Sequence, residues 1–230
     1  MFDITPAELT ALWLSFKIAT RSVLMGMPLA ILCAWLLARK RFPGKALFDS
    51  LVHLPLVLPP VVVGYLLLLA FGVQGPIGAL LNDWFGYRLV FTATGASLAT
   101  AVMSFPLMVR AVRLAIELVD EGLEQAARTL GAGPLDRFLT ITLPLTLPGI
   151  LSGGIVAFSA SLGEFGAVIT FASNVPGETQ TIPLAIYTAI NTAGGDAAAA
   201  RLAGLSLLLA ISGLALSELL ARRMRAMLGR

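Results

Sequence analysis

The chain has 230 residues, 57% of them hydrophobic and only 13% charged, with a mean hydropathy of +0.88; a soluble domain usually has about a quarter of its residues charged. This balance excludes a soluble globular protein and points to an integral membrane protein. The net charge of +3 is small, and the single cysteine, Cys33, excludes an intrachain disulfide or a cysteine metal cluster.

In chain order, apolar stretches run over Leu12–Ala38, Leu54–Phe71, Val90–Val112, Pro148–Ala172 and Leu202–Ala221. Each reaches or approaches the roughly 20 residues that a helix needs to cross a hydrocarbon layer of about 30 Å. Their Leu, Ala and Gly content lacks the polar–apolar alternation of barrel strands. The expected fold is therefore all-α and polytopic, a single transmembrane domain over residues 1–230 with about five spans. Asp3 and Glu8 precede the first span and no basic leader does, so the N-terminal segment is expected to stay in the mature protein. Cys33 reads as a small apolar residue of that span. Lys17 and Arg21 share a helix face in its outer half and are expected to snorkel to the headgroups; the other reading is attraction of an anion to the entrance.

Basic residues set the orientation. With the N-terminus outside, the inner segments hold Arg39, Lys40, Arg41, Lys45, Arg110, Arg113, Arg128, Arg137, Arg222, Arg223, Arg225 and Arg230, twelve of the sixteen Lys and Arg residues. Only Lys17, Arg21, Arg88 and Arg201 fall outside. The bias predicts an external N-terminus and a cytoplasmic C-terminus. It also accounts for the positive charge through membrane topology, with no nucleic-acid partner. The segments LPLVLPP (Leu54–Pro60) and LPLTLPG (Leu143–Gly149) echo each other where the chain re-enters the membrane. They read as two similar helix starts, because proline is tolerated in a first helical turn.

One polar stretch, about residues 120–144, separates the third and fourth apolar stretches. Leu123, Ala126, Ala127 and Leu130 follow helical i, i+3, i+4, i+7 spacing, opposite Glu121, Glu124, Gln125 and Arg128. Gly131 is placed to cap this short helix, and Pro134 to begin a second through Leu135, Phe138 and Leu139. Such an element is too polar to span a bilayer and too apolar on one face to stand in water. Its acidic first turns and small alanines favour docking in a partner's groove over lying on lipid.

Other chemistry is sparse. No G-x-x-x-x-G-K-S/T phosphate loop occurs, since Gly44-Lys45 lacks the earlier glycine and is followed by Ala46, so ATP hydrolysis is not expected in this chain. His53 is the sole histidine, which leaves no zinc motif and no metal site, and no G-x-S-x-G elbow or catalytic set is visible. It is expected to be an interfacial side chain. Glu164 is the conspicuous charge within an apolar stretch and is expected to pair with a neighbouring helix or subunit near a gate, or to be protonated, since a carboxylate repels anionic cargo. Ser152, Ser159 and Ser161, with Gly153, Gly154, Gly163 and Gly166, make the fourth stretch the candidate lining of a path.

At the polar stretch the sequence resembles ABC importer permeases, whose cytoplasmic signature is Glu-Ala-Ala, three residues, Gly, nine residues, Ile-x-Leu-Pro. Ala126, Ala127, Gly131, Ile141, Leu143 and Pro144 match at that spacing, with Gln125 in place of the usual glutamate and Glu124 one position earlier. FPGKALFDSLVHLPLVLPPVVVGYLLL, AVMSFPLMVRAVRLA, LEQAARTLGAG and SLGEFGAVITFASNVPGETQTIPLAIYT together resemble the molybdate permease family over most of residues 42–190. The resemblance implies a type I importer permease fold and a homodimer in the bacterial inner membrane. Two separate ATPase subunits would use ATP and magnesium, and a periplasmic oxyanion-binding protein would deliver the cargo. It also implies that Glu124, Gln125, Ala126, Ala127, Gly131, Ile141, Leu143 and Pro144 form the ATPase-docking element. Sulfate, thiosulfate or tungstate permeases, and more remotely an ATP-independent carrier, are the alternatives. The scarcity of intramembrane ionisable residues weighs against the carrier.

Overall fold

A computed structural model describes residues 4–227; Asp3 and Arg230 lie outside them, as do the side chains of Arg222, Arg223 and Arg225. Every regular element among the described residues is helical. Helix α1 (Pro6–Arg39) begins on a reciprocal cap: Thr5 Oγ1 accepts from Glu8 N at 3.3 Å, and Thr5 N donates to Glu8 Oε2 at 2.8 Å. At about 1.5 Å per residue the helix is roughly 51 Å long. Ser15, Ala19, Ser22, Gly26, Ala30 and Ala34 form a buried stripe along it, while Trp13, Phe16, Leu24 and Leu32 face outward. Small residues on the inner stripe allow close helix approach without a hydrophobic driving force. A Cβ on Gly26 would come within 2.5 Å of Met108 Cε.

That methionine belongs to α5 (Ala93–Glu117), the spine of the molecule, which is packed by α1 on one side and by α8 (Leu143–Leu162) on another. Gly149 and Gly153 of α8 sit against Ala115 and Ala111 of α5, a small-residue seam four positions apart on each helix. Ala34, Leu37, Val109, Val112 and Ala157 are fully buried where the three helices meet.

The second apolar stretch is not one straight span. Helix α2 (Lys45–His53) continues as a tight 3₁₀ turn over Leu54–Leu56, and α3 (Pro60–Phe71) leaves at a 110° bend. Pro60 holds the residue before it, Pro59, in extended backbone at φ −55°, ψ 134°, because a following proline disfavours the helical region. Helix α4 (Pro76–Phe85) then leads to α5.

The fourth stretch also differs from a single helix to Ala172. After α5, the short α6 (Glu121–Thr129) and α7 (Pro134–Arg137) are followed by a π-helical turn, Phe138–Thr142, that joins α7 to α8 in one 29-residue helix, Pro134–Leu162. This helix stops at Leu162. Gly163, Glu164 and Phe165 break it before α9 (Gly166–Ala172), which packs on α3. The contact is close at Gly64, whose added Cβ would lie 2.8 Å from Ala167 O and Thr170 Cβ. Helix α10 (Ile182–Ile190) is pinned to α1 through Ile182 N, which donates to Ser15 Oγ at 2.8 Å, and it packs on the last helix, α11 (Asp196–Met227).

Among the described residues, four helices are long and apolar enough to cross a membrane: Pro6–Arg39, Ala93–Glu117, Pro134–Leu162 and Asp196–Gly213. The bent pair Lys45–Leu56 and Pro60–Phe71 makes a fifth span if it is taken as one.

Candidate functional site

The polar stretch folds as a helix, a tight turn and a second helix. Asp120 Oδ1 accepts from Gly122 N at 2.8 Å at the start of α6. At its end Gly131 has φ +89°, and Gly131 N and Ala132 N donate to the carbonyls of Arg128 and Ala127 at 3.1 and 3.0 Å. This pair of bonds satisfies carbonyls that the helix leaves open, in a backbone region that glycine enters without strain. Pro134 starts the second helix, which continues into α8 through the π-helical turn and is therefore not a separate short piece. The wide turn lies directly before Pro144. Leu143 N donates five residues back to Phe138 O, which relaxes the helix where the proline ring would press on the preceding turn.

This elbow is fastened from within. Arg39, the last residue of α1, has a side chain only 10% exposed and holds three groups: Val119 O from Nη2 at 2.9 Å, Glu121 Oε1 from Nη1 at 3.2 Å, and Glu124 Oε1 from Nη2 at 3.2 Å. Glu124 Oε1 also accepts from buried Thr142 Oγ1 at 2.9 Å, so α6 is tied to both α1 and the π-helical turn. The side of α6 that carries these bonds is polar; Glu124 is turned to its own chain, whereas Glu121 stays 71% exposed. The apolar side of α6 is left uncovered: Leu130 is 88% exposed and Leu135, across the turn, 69%, with Leu123, Ala126 and Leu139 exposed as well; Gln125, on the polar side, is also exposed. Chains normally bury the apolar edge of an amphipathic helix and hydrate the polar one. Here the apolar edge is left open, and of the polar edge only Glu124 is largely covered.

The expected docking residues therefore separate by position. Gln125, Ala126, Gly131 and Pro144 are exposed, Ala127, Ile141 and Leu143 are half-buried, and Glu124 is bonded inward. Arg39 and Thr142, which hold the elbow, carry no local sequence signal as partners, because Arg39 lies 82 residues from Glu121. The run of Arg39, Lys40 and Arg41 at the end of an apolar helix is a signal of topology only.

The four path candidates are not brought together. Ser161 is buried and lies 3.3 Å from Ser22 Oγ of α1, which in turn lies 3.4 Å from Ser104 Oγ of α5, forming a hydroxyl cluster inside the bundle. Ser159 instead lines an apolar groove between α8, α10 and α11. Ser152, seven residues earlier, shares that side of the helix at 100° per residue. Glu164 Oε1 accepts from Ala167 N at 2.9 Å and so caps the first turn of α9; among the described residues no cation pairs with it. The small residues around these serines serve packing: Gly153 meets α5, Gly154 meets α1, and Gly166 meets Pro60 of α3.

His53 hydrogen-bonds within α2 and lies 3.1 Å from Asp49 Oδ1, while Arg113 of α5 reaches Asp49 Oδ2 at 2.9 Å and Glu117 Oε1 at 2.8 Å. This pairing ties the bent segment to the spine. At the opposite end of α1, Glu8, 5% exposed, accepts from Arg201 Nε and Nη2 at 3.2 and 2.8 Å, which closes α11 onto α1.

The helical spans, the broken second span and the projecting elbow define a polytopic permease with the type I ABC importer fold. The chain belongs to the binding-protein-dependent transport system inner membrane component family, which matches residues 26–226. It is 61% identical to the molybdenum transport system permease protein ModB of Escherichia coli K12, over 99% of both chains. It is 55% identical to the ModB of Haemophilus influenzae, over 96% of this chain and 97% of that one. Among solved structures it superimposes with a TM-score of 0.71 on a chain of the bacterial alginate ABC transporter in complex with an alginate pentasaccharide-bound periplasmic protein, at 19% identity over 97% of this chain and 80% of that chain. The chain is a multi-pass inner-membrane protein and not an ATPase; in an importer of this family ATP is used by a partner subunit.

Proposed function

We propose that this chain is the permease subunit of a molybdate importer, in which a separate ATPase docks on the exposed apolar side of the elbow. The observation that carries the docking is helix α6, fastened through Glu124 to Arg39 and Thr142 while Leu130 and Leu135 stand uncovered. An apolar edge held rigidly outward lacks only a groove to enter. The molybdate assignment is supported by 61% identity across the full length of a molybdenum permease.

In this reading two copies pair around a central path, two ATPase subunits bind ATP and magnesium and grip the two elbows, and a periplasmic oxyanion-binding protein presents cargo on the other side. The N-terminus is external and the C-terminus cytoplasmic. Gln125, Ala126, Ala127, Gly131, Ile141, Leu143 and Pro144 belong to the docking surface, and Glu124 acts by positioning it. Because α7, the π-helical turn and α8 form one helix, movement of the elbow reaches the buried serine cluster as rigid-body motion. Ser152 and Ser159 on α8, and Glu164 in the break before α9, are available to a second copy or to the path, and Ser161 sets the spacing of α1 against α8.

The test is uptake of labelled molybdate into proteoliposomes that contain this chain, its ATPase and its binding protein. Uptake should require all three, and tungstate should compete more strongly than sulfate. Uptake that persists without the ATPase, or that sulfate suppresses as well as molybdate does, would overturn the reading. Crosslinking from Gln125→Cys or Gly131→Cys should capture the ATPase.

A further inference from the structure

Behind the elbow, meeting the proposed docking surface at Gln125 and Leu135, lies a polar cleft of about 230 Å³ between the end of α1 and α6–α7. Its charged lining is Arg39, Lys40, Arg128, Arg137, Glu121 and Glu124. Both glutamates are engaged by Arg39. The other three cations have no ion-pair partner among the described residues: Lys40 Nζ rests 5.0 Å from the Trp35 ring centroid, and Arg137 Nε reaches only the Gly133 carbonyl at 3.4 Å. Arg39, nine-tenths buried, also lines the cleft and adds its positive charge to it.

The cleft adjoins a second space. Trp35, Pro134 and Phe138 are shared with a second, apolar groove of about 340 Å³ that descends α1 past Leu32 to Pro28, with Leu135 on its other wall. Trp35 and Phe138 meet edge to face at a centroid distance of 6.0 Å and form the sill between the two spaces. Pro28 to Trp35 spans roughly 10 Å of helix, and Leu32 is 52% exposed on the outward side of α1. A basic cleft stacked on an apolar trough at the end of a membrane helix matches one chemistry, an anionic headgroup with an attached acyl chain.

We propose that this is a binding site for one anionic phospholipid of the adjacent leaflet, its phosphate among Lys40, Arg128 and Arg137 and one chain along Pro28–Trp35. The bound lipid brackets the base of the elbow and stiffens its attachment to α1. A free oxyanion would use the polar cleft and leave the groove unused, whereas the lipid uses both. The site rests on the reading that the elbow projects at the membrane surface.

The experiment is native mass spectrometry of the assembled permease–ATPase complex from nanodiscs with equal phosphatidylglycerol and phosphatidylcholine, with orthophosphate as the free-anion probe. The wild type should retain phosphatidylglycerol in preference to phosphatidylcholine. The double variant Lys40→Gln, Arg137→Gln should weaken that retention by roughly thirtyfold, taking the usual contribution of a basic residue at an anionic membrane surface for each. Leu32→Trp, which fills the groove from an exposed position, should abolish retention while leaving both cations in place. ATPase co-purification should survive in both variants. Equal retention of the two lipids, retention unchanged in both variants, or orthophosphate binding that is as tight as the lipid's and survives Leu32→Trp would overturn the proposal. An ATPase that fails to bind wild-type permease while phosphatidylglycerol is still retained would count against the docking reading and uphold the lipid site.

Discussion

The segments LPLVLPP and LPLTLPG are alike in sequence and opposite in structure. The first sits at a 110° break between α2 and α3; the second lies inside the continuous helix Pro134–Leu162. They differ at two positions, Val57 against Thr146 and Pro60 against Gly149, and the second separates the structures. Pro60 forces Pro59 into extended backbone, so the helix must restart in a new direction. Gly149, at the matching place, has an amide proton to give and no Cβ, so the helix runs on and α8 can press against Ala115 of α5. The remaining strain of Pro144 is taken up by the π-helical turn before it. One segment is thus a corner and the other a rod, and only a rod can carry displacement of the elbow to Ser161 in the interior.

The most severe way to break this contrast is Gly149→Pro, which gives the second segment the first one's ending. Loss of the helix bond and a ring clash in the interior should cost about 3 kcal/mol or more. Thermal unfolding in detergent should show a large fall, and transport should vanish; wild-type stability would mean that the last residue does not separate corner from rod. Next is Arg39→Ala, which leaves the rod intact and frees the elbow at its base. Glu124, one-fifth exposed, would lose its cation, a cost of about 1–2 kcal/mol, discounted from the value for a fully buried pair because water still reaches it. Here ATPase affinity should fall about tenfold while the spans remain folded, a split that co-purification and circular dichroism can detect.

Thr142→Val removes one hydrogen bond to Glu124 and should cost about 1 kcal/mol, with coupling reduced and ATPase binding nearly retained. The smallest effect is expected from Pro60→Ala, which removes the restriction on Pro59 yet leaves Pro55 and Pro59 in place. Stability should change by about 0.5–1 kcal/mol, and spin labels on Leu47 and Leu69 should report a broader distance distribution across the bend. An unchanged, narrow distribution would place the origin of the corner in the packing of α3 on α9.

Much of the candidate site was legible because its signals are local. Helical spacing from Leu123 to Leu130, a capping glycine at 131 and a helix-starting proline at 134 each act within a turn or two of chain, and all three take the expected conformation. What could not be read was which edge of the elbow faces outward. Sequence periodicity predicts an apolar stripe but not its direction, and that was decided by Arg39 reaching Glu121 from 82 residues away. The serines show the same limit. Ser159 and Ser161 are two residues apart, which turns them to opposite sides of α8, and only the neighbours reveal that one meets Ser22 while the other meets the α10–α11 groove.

The apolar runs, the all-helical class, the capped elbow and membership of the permease family follow from the order of residues, because hydropathy, helix caps and proline restrictions operate over distances of a few residues. The corner at Pro60, the stop at Leu162, the inward tether of Glu124 and the paired clefts behind the elbow exist only once α1, α5 and α8 are packed. Those features depend on close approach at small residues and on charges brought together from remote parts of the chain.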